Sequence, residues 1–212
     1  MAGIFVLGLL FCLPAGAQFF EKTEPGQSPI RRLSARELNY LLKVAEEPLV
    51  ALKESRPPRP LTDSAGTGAL NQTLPAVVTL WLDGQILARA WEIRQPQPLV
   101  AGVEALSAKV LDSPDQGRVP TIEEWPRVKV GFAVLHQLAE AADEKEVAKG
   151  QAVVVLEGFT IGLGLPKDMT GQYESADLLS KACQMAGLRP NAWLLPDKLT
   201  IFSAAVDEIV GQ

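Results

Sequence analysis

The sequence predicts an α+β fold, and three observations carry that reading. Helical and strand-like segments interleave in the order α-ββ-α-β-α-ββ-α-β, without the regular βαβ rhythm of a parallel sheet. Two pairs of strand-like runs meet at tight glycine turns, Asp83-Gly84 and Glu157-Gly158, which predicts antiparallel hairpins. The chain has 212 residues, 47% hydrophobic and 21% charged. A chain of that size buries roughly 70% of its unfolded surface without a disulfide or metal staple. The composition excludes a disordered chain, a disulfide scaffold and a collagen-like repeat. The expectation is two β-hairpins and further strands interleaved with about four helices, in one domain over 33–212.

The elements follow in order. Met1 to Phe20 carries no charge, Ile4 to Leu13 is apolar, Pro14 breaks the run, and Ala15-Gly16-Ala17 supplies small residues. This reads as a signal peptide over 1–17, cleaved before Gln18, so that the protein is exported to a periplasm or secreted. The alternative is a membrane anchor through residues 1–20, because no Lys or Arg precedes the run and about 20 apolar residues can span a bilayer. Cys12 is preceded by Phe11, where a lipoprotein needs a small residue. No later segment is long and apolar enough to cross a membrane. Cleavage would leave Cys183 as the only cysteine and so no intramolecular disulfide. Residues 18–32, with Pro25 and Pro29, read as a tether.

Ser34-Ala35-Arg36-Glu37 has the pattern of a capping box, and Leu33 and Leu38 sit where a hydrophobic staple belongs. Leu38, Leu41, Leu42, Ala45, Leu49 and Leu52 follow at helical spacing, with Pro48 expected to kink or interrupt the helix. Arg56-Pro57-Pro58-Arg59-Pro60 reads as a stiff connector, the alternative being a proline-rich ligand for a partner domain, and Asn71-Gln72-Thr73 is a glycosylation sequon that matters only in a eukaryotic secretory pathway. Ala76–Leu82 and Gln85–Ile93 form the first hairpin, with Leu80 facing Leu87, Trp81 facing Ile86 and apolar groups on both faces. Leu99, Val103, Leu106 and Val110 mark a second helix; Val128, Val130, Phe132 and Val134 alternate along a strand. Glu140 to Lys149 reads as a short charged helix ended by Gly150. Val153–Leu156 and Thr160–Leu165 make the second hairpin, Leu178 to Met185 a final helix stopping at Gly187, and Leu199–Val206 a closing strand.

Several stretches resemble the AMMECR-type domain, the A component of the AmmeMemoRadiSam system. Gly162-Leu163-Gly164-Leu165-Pro166 resembles the family's Gly-Leu-Leu-Leu-Pro element, and Leu178 to Leu188 resembles its helix ending in Cys-x-Lys-Ala-Gly-Leu, with Trp193 at its tryptophan. Leu33–Lys53 resembles the first helix, and Val78-Thr79-Leu80 with Asp83-Gly84 its Val-Thr-Leu hairpin. The likeness is collinear from Leu33 to Val206. It implies an AMMECR-like fold and a companion role beside Memo and radical-SAM components, but no defined reaction. The chain also departs from the family. Where Arg-Gly-Cys-Ile-Gly should follow the first hairpin turn, it has Leu87-Ala88-Arg89-Ala90-Trp91-Glu92-Ile93, and Met185 replaces a lysine. The Asp-x-Arg-Phe element survives only as Asp115, Arg118 and Val119.

Candidate chemistry is sparse. Lys plus Arg number 20 against 25 Asp plus Glu, a net charge of −5, which argues against nucleic-acid binding by counterion release. No Cys- or His-rich cluster supports a metal, and no glycine loop forms a phosphate cradle, so neither metal nor cofactor is expected. Cys183 beside Leu179, Ala182 and Met185 reads as a buried thiol rather than a nucleophile activated by His136, the only histidine. His136, at an expected strand end, reads as solvated or singly hydrogen-bonded. Glu123-Glu124 beside Trp125-Pro126 reads as a solvated turn. Arg89 and Trp91 share one face of a strand and could stack a planar or anionic ligand; the alternative is an Arg held by a carboxylate beside a packed Trp. The sequence thus points to an exported noncatalytic domain binding a small molecule or partner protein, with Arg89, Trp91, Arg118 and His136 as candidate ligand contacts and no assigned catalytic residue. The alternative is a hydrolase or transferase with a site around Arg89, Arg118 and His136.

Overall fold

A computed structural model describes residues 31–59, 68–94, 96–195 and 198–211. The signal segment and most of the tether lie outside the described residues. Helix α1 (Ala35–Lys53) begins at the expected capping box: Ser34 Oγ accepts the Glu37 amide at 3.3 Å and the Glu37 carboxylate accepts the Ser34 amide at 2.8 Å. Pro48 does not interrupt it. The proline forfeits one hydrogen bond, but it lies on the buried face, where its ring adds to the packing.

Strands β1 (Ala76–Leu82) and β2 (Gln85–Glu92) form the first hairpin. Asp83 at φ 51° and Gly84 at φ 81° both occupy the left-handed region, as a type I′ turn requires. Trp81 faces Ile86 as the turn length predicts, but a register shift between Leu80 and Trp81 places Leu80 opposite Ala88 rather than Leu87. Helix α2 (Leu99–Asp112) and the two-residue strand β3 (Gln116–Gly117) follow.

Strand β4 (Val128–Ala141) is twice the length the alternating valines suggest. The helix expected over Glu140–Lys149 is absent: Glu140 and Ala141 pair with Phe202 and Ile201, and one 3-10 turn at Glu144–Glu146 remains. Pairing with a neighbouring strand outweighs the local helical pattern, and Asp143 bonding the Lys145 amide tightens the turn. Strands β5 (Ala152–Glu157) and β6 (Thr160–Gly164), helix α3 (Ser175–Met185) and strand β7 (Thr200–Val210) complete the chain. Among the described residues there are three α-helices, not about four.

The seven strands form one sheet in the order β3-β2-β1-β4-β7-β5-β6, with every pair antiparallel. Strand alternation splits the core. Ala76, Val78 and Leu80, with Val130, Phe132 and Val134, pack beneath α1 and α2. Val77, Ala133, Val154, Leu163 and Phe202 fill the opposite face. Helix α3 covers Val153 and Val155 with Leu179, Ala182 and Cys183. The sheet curls until its two ends meet through side chains. Arg89 on β2 reaches the Leu163 carbonyl on β6 at 3.5 Å, and Gln116 on β3 donates to the Met185 carbonyl at the end of α3 at 2.8 Å. The fold is α+β, with a curled antiparallel sheet and helices packed outside it.

Candidate functional site

The inner face of the curled sheet holds a polar cluster. Strand pairing sets Arg89 opposite Thr79, and the Arg89 guanidinium donates Nε to Thr79 Oγ1 at 2.9 Å. Its other two nitrogens donate to Asp168, Nη1 to Oδ2 at 2.9 Å and Nη2 to Oδ1 at 2.5 Å. Asp168 sits in the 3-10 turn Pro166–Asp168 after β6, where it also accepts the Leu165 amide at 2.8 Å. Both side chains of the pair have 0% exposure. Arg89 is therefore not open to a ligand from solvent: it is the carboxylate-held arginine, and it closes the sheet. Glu208 on β7 lies beside this pair and accepts the Lys167 amide at 3.2 Å. Burial, with the Asp168 charge nearby, pushes the Glu208 carboxyl up to about 7, against the opposing pull of Lys167 and Arg89.

Beyond this cluster the sheet opens into a cleft of about 660 Å³, lined by Trp81, Asp83, Gly84, Arg127, Lys129, Lys167, Met169 and Val210. Its volume falls in the range that holds small molecules. Trp81 faces Lys129 across the β1–β4 pairing, two positions from Gly131 along β4. Gly131 makes the seat for the indole: a Cβ there would lie 3.1 Å from Trp81 Nε1 and 3.0 Å from Val210 Cγ2. The Trp81 N–H is buried without an acceptor. Arg127 is held by Asp83 at 2.5 Å across the mouth, whereas neither Lys129 nor Lys167 joins an ion pair among the described residues.

The four residues singled out in the sequence do not converge. Trp91 lines a smaller cleft of about 250 Å³ at the other end of the sheet, with Ile93, Val154, Leu156 and Ile161. Of the two cations that line it, Arg94 and Lys109, the latter is bound by Asp115 at 2.6 Å. Arg118 is exposed and paired with Glu124 at 2.5 Å, which lowers the Glu124 carboxyl to about 2. His136 is singly hydrogen-bonded, one of the two expected states, but it is neither solvated nor at a strand end. It is 1% exposed inside β4, and its Nε2 meets Asp207 Oδ2 at 2.8 Å. Burial pushes the imidazole below its usual range, with Asp207 pulling the other way. Asp207 and Val134 are paired on the α1 face, while Glu208 and Ala133 occupy the inner face. His136 and Arg89 are thus separated by the sheet itself, and the Arg89–Arg118–His136 site is not assembled. Cys183 is buried and its thiol is pushed up by burial, as its apolar neighbours predict. Sequence reasoning missed Trp81, Lys129, Lys167, Asp168 and Glu208. The available signal was strand alternation, which puts Trp81 on the face of Thr79; nothing in the sequence showed that the 166–169 turn meets it.

No group of three metal-ligating side chains occurs among the described residues, and no described helix is long and apolar enough to cross a membrane. No family model matches this sequence, and no curated protein matches it. Among solved structures the chain is similar to an uncharacterised protein from Pyrococcus horikoshii, with 17% identity and a TM-score of 0.65 over 82% of this chain and 91% of that one. The two share an α+β fold.

Proposed function

We propose that this chain is a divergent, exported AMMECR-type domain that binds a small molecule and does no chemistry on it. The collinear motifs from Leu33 to Val206 support the family reading. The cleft between the β1–β2 turn and residues 166–169 supports the binding reading: it joins an indole, two ammonium groups outside any ion pair among the described residues, and the apolar Met169 and Val210 in one concavity. Concave sites with apolar walls and a few placed polar groups are what small-molecule binding requires. The groups a hydrolase would use are spent elsewhere. Arg89 and Asp168 neutralise each other, His136 faces Asp207 on the far side of the sheet, and the Cys183 thiol is buried. No hydrogen bond joins Cys183 to His136 among the described residues, so a cysteine-based transfer has no activated nucleophile there.

A ligand-detected NMR screen of small fragments against the exported protein tests this reading. Fragments should bind, and Trp81→Ala should abolish the binding of those in the cleft. Generic ester and phosphoester substrates should show no turnover. Turnover that disappears on changing Arg118 or His136 would overturn it in favour of an enzyme.

A further inference from the structure

We propose that the cleft beside Trp81 takes a flat, singly charged carboxylate, an aromatic or similarly planar acid. This rests on the small-molecule reading above and names the ligand's chemistry. The position of the charge follows from the lining. Lys129 and Lys167 reach the cleft from β4 and from the 166–168 turn, with no carboxylate paired to either among the described residues. Asp83 takes Nη1 of Arg127, so among the described residues the cleft has two ammonium groups outside any ion pair and one guanidinium already shared with a carboxylate.

That difference selects the anion. A phosphate dianion is matched by bidentate guanidinium groups or by a row of backbone amides. The one guanidinium in this cleft already shares Nη1 with Asp83, whose carboxylate also lines it, and Glu208 stands behind Lys167. Ammonium groups act as point charges without a fixed fork, and two of them can share the two oxygens of one carboxylate. The shape of the ligand body follows from Trp81. Its indole lies across Gly131 against Val210, where any Cβ would crowd it, so the ring forms a fixed flat wall. Flat rings stack on such a wall in offset or edge-on arrangements. Met169 on the facing turn can adapt to a ring of varying outline, because its side chain is unbranched.

The test uses three probes that share one ring system: 2-naphthoate, the neutral 2-naphthamide and 2-naphthyl phosphate. Binding is measured by calorimetry and by tryptophan emission on the exported protein. Naphthoate should bind at least tenfold more tightly than the amide, the margin that one charge-assisted hydrogen bond supplies, and more tightly than the phosphate. Lys129→Met and Lys167→Met should each weaken naphthoate severalfold and leave the amide unchanged. Trp81→Phe should remove the emission change. Equal affinity for acid and amide, or tighter binding of the phosphate, would overturn the assigned ligand class while leaving small-molecule binding intact. If no probe and no fragment occupies the cleft of the folded protein, both readings fall together.

Discussion

Asp168 accepts two hydrogen bonds from the Arg89 guanidinium and one from the Leu165 amide, so neither charge is left uncompensated inside the sheet. Removing one partner of such a pair leaves the other buried and alone, at a cost of about 3–5 kcal/mol. Arg89→Ala should therefore lower the melting temperature by roughly 10 °C in scanning calorimetry. Arg118→Ala, which breaks an exposed pair with Glu124, should leave it unchanged; equal effects would contradict the structural role of Arg89. Glu208 gives a pH signature. Its folded carboxyl, raised to about 7 from 4.5, holds a proton that the unfolded chain releases. Its contribution is full below the unfolded value and is lost as pH rises through the folded one. His136 has the opposite sign: its folded value is depressed, so its contribution is present above 6.5 and is lost as pH falls. Glu208→Gln isolates the first effect. In urea titrations the variant should gain stability over wild type as pH rises from about 5 to about 8, the window in which the raised carboxyl titrates, and a constant difference would refute the raised carboxyl. The sequence made Cys183 legible, because three apolar neighbours on one helix face suffice. Arg89 was legible only as a choice between two roles, since its carboxylate lies 79 residues away. His136 was hidden because the apolar alternation runs out just before it, while the strand itself continues.

At the scale of elements, local chemistry was the readable part. The capping box, the Asp83-Gly84 turn and the stop at Gly187, where φ is 73°, all depend on residues within a few positions of one another. The extension of β4 through Ala141 depends on β7, about sixty residues later, and no local pattern announces it. The bulge at Leu80 has the same origin: β1 is paired on both edges and must satisfy β4 as well as β2. Close approach of elements was hidden too. Gly162 lets α3 lie directly on β6, and an added Cβ would collide with the Ala182 carbonyl and press on the Ala186 side chain. Gly162→Ala should therefore shift the urea midpoint downward by the equivalent of about 1–3 kcal/mol, the usual cost of overpacking. An unchanged midpoint would show that α3 can move away freely.

The whole molecule is organised around the sheet's two faces. On one face Asp207 binds Arg32 Nε at 2.8 Å and the Leu33 amide at 2.9 Å, so the chain entering α1 is fastened to β7. Whatever precedes Arg31 therefore starts from a fixed point on the domain. If residues 1–17 are a cleaved signal, N-terminal sequencing of the natively expressed protein should begin near Gln18. An intact Met1 in the membrane fraction would support the anchor instead. On the other face the polar cluster and the cleft share one interior. The seam where β2 and β6 approach is closed by side chains rather than by a backbone ladder. Terminal strands with bare peptide groups are templates on which a second molecule can add a strand. Here Arg89 occupies a carbonyl of β6 from within, and α3 lies over the same strand. Loss of Arg89 would therefore bare a carbonyl of a terminal strand as well as break the buried ion pair.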